Sequence, residues 1–312
     1  MGVHRIMLID FLVNHIDGGW SPRDKRLGGT EESVVKWAEE LYRRGHFVTV
    51  YMNGTGGYKD GVTYIGRNVY NKYAKQADVC INIKSSEVPP KVPTLYLTNE
   101  VDADQLDLSA YDGVIWPSQW AVDNIPVNND NVFIVPHGYD ETKIYPQRKH
   151  KNLCIYTSSP DRGLDTLAII WPSIVDKHPD AQLIVTYGGP DLDLPNCVAS
   201  EFTEEEMNEL YRKADIWIHP ANGGELFGIS AIKAQAAACV PVYFPTMALS
   251  ETVKEGIKCS YGGDMYFRLV EILGDEEKKL EIRNKLAKHT FPTWVTSTDA
   301  LEKCILEICK SK

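Results

Sequence analysis

The sequence predicts an α/β protein of two Rossmann-like domains facing each other across a cleft, and three observations carry that expectation. Short apolar runs alternate with helix-periodic stretches through the first half of the chain. The alternation restarts after a basic, proline-containing segment, Tyr145 to Lys151. In the second half a glycine-rich turn, Asn222 to Gly228, lies between two apolar runs, the order expected of strand, turn, helix and strand.

Taken along the chain, the first strand is expected within Met1 to Asp10, followed by a polar loop from Asn14 to Leu27. That loop carries Trp20, Arg23, Lys25 and Arg26, and reads either as an acceptor-binding excursion or as plain surface. Gly28-Gly29-Thr30-Glu31 opens a helix on which Val34, Val35, Ala38, Leu41 and Tyr42 recur at helical spacing. Gly45-His46 closes it, and Phe47 to Tyr51 is the next strand. Apolar runs at 79–83, 94–97, 113–116 and 132–135 complete the first parallel sheet. The second half offers a strand at 153–156, a turn at 158–163, a helix at 164–176, a strand at 181–187 and a helix at 204–213. The expected domains are 1–145 and 146–295, both Rossmann-like, with 296–312 as a final helix packing back on the first.

Composition narrows the function. A chain of 312 residues suffices for two ordinary domains, and a net charge of −10 argues against a nucleic-acid binder. No apolar stretch reaches the ~20 residues that span a bilayer, which leaves only peripheral membrane contact open. Seven scattered cysteines form no Cys-x-x-Cys pair, so a reducing, cytoplasmic location is expected. No metal or other cofactor is indicated: Asp191-Leu192-Asp193 sits in a proline-bounded loop beside Tyr187-Gly188-Gly189-Pro190. Neither half shows Gly-x-Gly-x-x-Gly after its first strand, which argues against a nicotinamide-dependent oxidoreductase.

The turn itself suggests the ligand. Backbone N–H groups at a helix start suit anionic oxygens, and Glu225 in the turn can accept hydrogen bonds from hydroxyls. A phosphorylated, polyhydroxylated ligand meets both, so a nucleotide sugar is the expected class. Arg162, in the 158–163 turn, is the best phosphate ligand, because a guanidinium makes paired charge-assisted bonds to phosphate. The alternative for Arg162 is an exposed side chain capped on Asp161 or Asp165.

At Glu225, Phe227-Gly228, Ala234-Gln235-Ala236-Ala237 and Pro241-Val242 the chain resembles the retaining GT-B glycosyltransferases of family four, the glycosyl transferases group 1 type. Gly28 to Glu31, Pro136 to Asp140 and Ser158 to Leu164 resemble further segments of that family. The resemblance implies a GT-B fold and metal-independent transfer, with retention, of a hexose or pentose from a nucleoside-diphosphate sugar to a hydroxyl acceptor such as a glycan. It implies Glu225 and Arg162 as catalytic residues. Donor contacts would come from Gly224, Leu226, Phe227, Gly228, Lys233, Ser159, Gly29 and Thr30, and the acceptor side from Asn99, Glu100 and His137. Two departures stand out. Lys233 replaces the family's second glutamate, and Ala238 stands where glycine is usual. An ammonium donates only, so Lys233 cannot take both ribose hydroxyls; it could add charge near the diphosphate or pair with Glu225. The family also often carries a histidine where this chain has Thr98-Asn99-Glu100, and that absence together with Lys233 keeps open a catalytically degenerate module that binds sugar nucleotides or glycans. His137 and His219 each follow a strand, where a lone histidine is more often structural.

Overall fold

The structure, a computed structural model, describes residues 6–14, 19–24, 27–70, 76–84, 92–187 and 192–310. Lys25, Arg26, Gly188, Gly189, Pro190 and Asp191 lie outside the described residues, as do Met1 to Arg5 of the expected first strand. The chain forms two compact units, Met1–Gly138 with Pro292–Lys312, and Tyr139–Phe291.

The first unit runs β1 (Leu8–Val13), α1 (Gly29–Arg43), β2 (Phe47–Met52), β3 (Gly57–Lys59), β4 (Val62–Gly66), β5 (Val79–Ile83), β6 (Thr94–Leu97), β7 (Gly113–Trp116), α2 (Gln119–Asn124) and β8 (Val132–Ile134). The described strands form one sheet in the order β3-β4-β2-β1-β5-β6-β7-β8, parallel except for the β3–β4 hairpin. Strands buried on both faces read as unbroken apolar runs, and β5, β6 and β7 are buried at every position. Ile9, Phe11 and Val13 of β1 share a core with Val34, Trp37 and Leu41 of α1, whereas Leu12 packs on the other face with Tyr51 and Cys80.

The second unit runs β9 (Leu153–Tyr156), α3 (Leu164–Lys177), β10 (Gln182–Val185), β11 (Cys197–Ala199), α4 (Glu204–Lys213), β12 (Ile216–His219), α5 (Ile229–Ala236), β13 (Val240–Tyr243), α6 (Leu249–Thr252), β14 (Ile257–Lys258), α7 (Gly262–Gly274) and α8 (Glu276–Leu286). Its sheet is parallel throughout, in the order β11-β10-β9-β12-β13-β14. The order reverses between β9 and β12, so the switch point that favours ligand binding lies at their carboxyl ends. A last helix, α9 (Trp294–Lys310), belongs to the first unit and packs on α1, with Trp37 Nε1 donating to Ser297 Oγ at 2.7 Å.

Two expectations differ from what the structure places. The chain passes between units at Gly138–Tyr139 and returns at Phe291–Pro292, so the proposed linker at 145–151 lies inside the second unit. Lys149 holds it there, donating to the carbonyls of Tyr211 (3.2 Å), Arg212 (3.0 Å) and Ala237 (2.5 Å). The β3–β4 hairpin, α7 and α8 are absent from the sequence reading. The hairpin follows a glycine-rich stretch that shows no periodicity, and α8 is charged on most of its surface. All seven cysteines are free thiols.

Candidate functional site

The carboxyl ends of β9 and β12 bring the two predicted turns of the second unit together. After β9 the chain makes a tight turn at Pro160–Arg162, stabilised by Tyr156 Oη donating to the Ser159 carbonyl at 2.5 Å. Gly163 then starts α3 in the left-handed region (φ 91°), where any side chain would strike the Pro220 carbonyl just past β12. Glycine is needed there for conformation and for space. The packing of Gly163 on Pro220 fixes Arg162 beside the β12 turn.

Arg162 reaches across that turn. Its Nη1 donates to the Gly223 carbonyl at 2.8 Å and lies 3.9 Å from Glu225 Oε1, while Nε lies 3.5 Å from Asp161 Oδ2. Arg162 touches Asp161, and its guanidinium also lies over the glycine turn with the side chain 28% exposed. Gly224 adopts φ 79°, and a methyl group there would collide with the Arg162 guanidinium. Gly224 makes room for the cation.

Glu225 is the half-buried acid of the site, its side chain 17% exposed. Burial raises its pKa and Asp161 adds to the rise, while Arg162 acts against both. His219, wholly buried at the end of β12, places Nε2 3.6 Å from Glu225 Oε1. Burial, then the Arg162 charge, drive the His219 pKa down to about 3, so the imidazole is neutral at ordinary pH. Arg162 is a cation beside Glu225.

The turn ends at Gly228 (φ 81°), which precedes α5; the first amides of a helix have no intrahelical acceptor and carry the positive end of its dipole. Leu226 and Phe227 are buried at 5% and 6% exposure, which confines them to the site through their backbone. Lys233 lies half-buried on α5, one turn in. A loop after β13 clamps the turn from outside: Ala248 N donates to Glu225 O at 3.1 Å, Thr246 Oγ1 to Ala221 O at 2.9 Å, and Gly224 N to Met247 Sδ at 2.9 Å. Met247 adopts φ 49°, a region costly for a side chain of its kind. Sequence reasoning missed Met247, because nothing in the order of residues signals its backbone conformation.

The predicted residues of the first unit lie after its parallel strands. Gly29 and Thr30 form the first turn of α1, with Gly29 exposed and Thr30 half-buried. Ser33 Oγ donates to the Gly29 carbonyl at 2.7 Å and lies 2.9 Å from His137 Nδ1, so His137 supports the helix start. That imidazole is 5% exposed, stacks on Trp37, and is driven by burial to a pKa of about 3. Asn99 and Glu100 are half-buried after β6, with Glu100 Oε1 3.9 Å from Lys84 Nζ. Among the described residues no cluster of three or more His, Cys, Asp or Glu side chains is placed to hold a metal ion.

Comparison with known proteins bears on this arrangement. Residues 151–275 match the family model described as Glycosyl transferases group 1, a span that includes both turns of the second unit. No curated protein sequence matches the chain. Among solved structures, the sucrose-phosphate synthase of Thermosynechococcus elongatus superposes with a TM-score of 0.74 at 13% identity, over 99% of this chain and 100% of that one. Anabaena HepE, solved in complex with UDP and glucose, gives 0.74 at 13% identity, over 96% and 100%. WaaG, a glycosyltransferase involved in lipopolysaccharide biosynthesis, gives 0.73 at 15% identity, over 96% and 99%. The protein has the GT-B fold of these glycosyltransferases, two parallel-sheet α/β domains in one chain.

Proposed function

We propose that the protein is a glycosyltransferase that moves a hexose or pentose from a nucleoside-diphosphate sugar to a hydroxyl acceptor such as a glycan. The observation that carries this reading is the Arg162 guanidinium seated on the Gly223 carbonyl, 3.9 Å from the half-buried acid Glu225, in the turn before α5. One cation, one carboxylate and a row of amides in a single turn match a diphosphate joined to a sugar. The match to the group 1 family model over 151–275, and the UDP and glucose held by HepE, support it.

In this reading Arg162 and the amides of Leu226, Phe227 and Gly228 hold the diphosphate, Gly224 leaves the space that the guanidinium occupies, and Glu225 accepts from sugar hydroxyls. Ser159 shapes the phosphate-side loop through its carbonyl. Lys233 adds positive charge in place of a ribose-binding acid. Gly29 and Thr30 offer a second helix start to the donor, and we assign acceptor recognition to Asn99, Glu100 and the helix supported by His137. The bond from the anomeric carbon to the diphosphate oxygen breaks, and the acceptor oxygen bonds to that carbon from the same face. The acceptor proton passes to the departing diphosphate. Configuration is retained, and the charge balance comes from Arg162 rather than a metal ion.

The test is a panel of UDP-, GDP-, dTDP- and ADP-sugars read by thermal shift and slow donor hydrolysis, on wild type and Glu225→Ala. One donor should stabilise and be hydrolysed by the wild type, with both effects lost in the variant. Lys233 favours a second reading, a module that binds without transfer; binding with no turnover on any acceptor would select it. No binding by any nucleotide would remove the donor site.

A further inference from the structure

His219 has a property that packing does not explain. Its side chain is fully buried, yet neither ring nitrogen has a hydrogen-bond partner among the described residues. Burying polar nitrogens unpaired lowers stability, and an apolar side chain of similar size carries no such penalty. The ring is held firmly, stacked on Trp217 with centroids 4.9 Å apart and planes 8° from parallel. Trp217 Nε1 in turn donates to Thr157 Oγ1 at 3.0 Å, and Tyr211 Oη donates to the same oxygen at 3.0 Å. Nε2 faces one carboxylate oxygen, Glu225 Oε1, across 3.6 Å, and Arg162 Nη1 lies 3.9 Å from that same oxygen. The other oxygen, Oε2, lies towards Gly228, 3.9 Å from where a Cβ there would stand.

We propose that His219 is a positioning residue for the sugar-binding carboxylate: its Nε2–H closes a hydrogen bond on Glu225 Oε1 when the donor sugar is held, leaving Oε2 to accept from sugar hydroxyls. The inference rests on the reading of Glu225 as the sugar-binding acid. A gap of 3.6 Å is just beyond hydrogen-bond range, and polar contacts of an unliganded site commonly tighten in its complex. The imidazole is clamped from its far side, so the carboxylate is the partner that moves. A neutral ring donates one proton without forming an ion pair that would compete with the sugar for Glu225.

The experiment uses the nucleotide sugar that wild type binds best, with the bare nucleoside diphosphate as control. His219→Leu removes the N–H and keeps an apolar filling, while His219→Gln restores an amide N–H near the Nε2 position. For His219→Leu, the Kd and KM of the nucleotide sugar should rise about tenfold or more, the equivalent of one charge-assisted hydrogen bond. Affinity for the bare diphosphate should stay unchanged, and Tm should hold or rise. His219→Gln should recover most of the lost affinity. The inference is overturned if His219→Leu binds the nucleotide sugar like wild type while Glu225→Ala does not. It is equally overturned if His219→Leu loses Tm together with affinity for both ligands and His219→Gln recovers neither, because the ring is then a packing element. Absence of nucleotide-sugar binding by the wild type would remove the donor-site reading, and this inference with it.

Discussion

At Gly224 two demands meet, a left-handed backbone (φ 79°) and the space taken by the Arg162 guanidinium. Gly224→Ala should therefore act mainly on function: the methyl displaces the cation from Gly223, and donor affinity should fall about tenfold or more by titration. The strain of ~1–2 kcal/mol in that conformation should lower Tm by only a few degrees. The buried histidines predict the acid behaviour. His137 and His219 have folded pKa values near 3, against 6.5 for an ordinary imidazole. The unfolded chain takes up protons between those values and the native chain does not, so the histidines' contribution to stability is full above pH 6.5 and is lost as pH drops towards 3. Denaturant midpoints measured across that window should decline, and His219→Leu should flatten the slope. Asp10 has the opposite sign. Burial raises its carboxyl to about 7 from 3.8, so its contribution is full below 3.8 and is lost as pH rises through 7. Asp10→Asn should be more stable than wild type at pH 8, by the same midpoints. Of the site, Arg162, Glu225 and the glycine turn were legible in the sequence, because charge and glycine announce themselves in a strand-to-helix turn. The Met247 contact was not legible, since it depends on a backbone angle.

Among the elements, the helical half of the turn-and-helix motif resolves into packing. Gln235 of α5 donates to the carbonyls of Ala231 and Thr252, both at 3.1 Å, and accepts from Lys254 N at 2.7 Å. It ties the helix to the chain after α6, away from the chemistry. Ala238, where glycine was expected, adopts φ 62°. Ala238→Gly should therefore stabilise by up to about 1 kcal/mol, after the added entropy of the unfolded chain is set against the relieved strain. Helix α8 is anchored by a buried charge cluster. Lys279 Nζ, wholly buried, lies 2.8 Å from Asp215 Oδ2, 3.3 Å from Asn152 Oδ1 and 2.6 Å from Glu276 Oε1, and Arg283 also binds Asp215. Removing one partner of such a cluster strands the rest, so Lys279→Ala should cost about 3 kcal/mol in denaturant unfolding. Asp215 and Asn152 precede β12 and β9, at the amino ends of the strands, so donor affinity should not change. The helix at 204–213 and the strands at 79–83, 94–97, 113–116 and 153–156 coincide with their sequence-based limits, because each is a clean apolar or periodic run. The α8 helix escaped notice because its buried members include a lysine, which no hydrophobic pattern marks.

For the whole molecule, the doubling of the α/β pattern was legible from the restart after residue 150, while the points of crossing between units were not. A basic, proline-containing stretch resembles a linker until its lysine is seen binding three carbonyls. Among the described residues no helix is long and apolar enough to cross a membrane. If charge balance at the diphosphate comes from Arg162, transfer should continue undiminished after EDTA treatment and dialysis, assayed with the donor selected by the panel. The central claim is that the Arg162–Glu225 turn holds a diphosphate, and calorimetric titration of nucleoside mono- and diphosphates into wild type and Arg162→Met tests it most directly. Arg162→Met should lose about tenfold or more in affinity for the diphosphate, with little change for the monophosphate. Equal diphosphate affinity in the two proteins would contradict it.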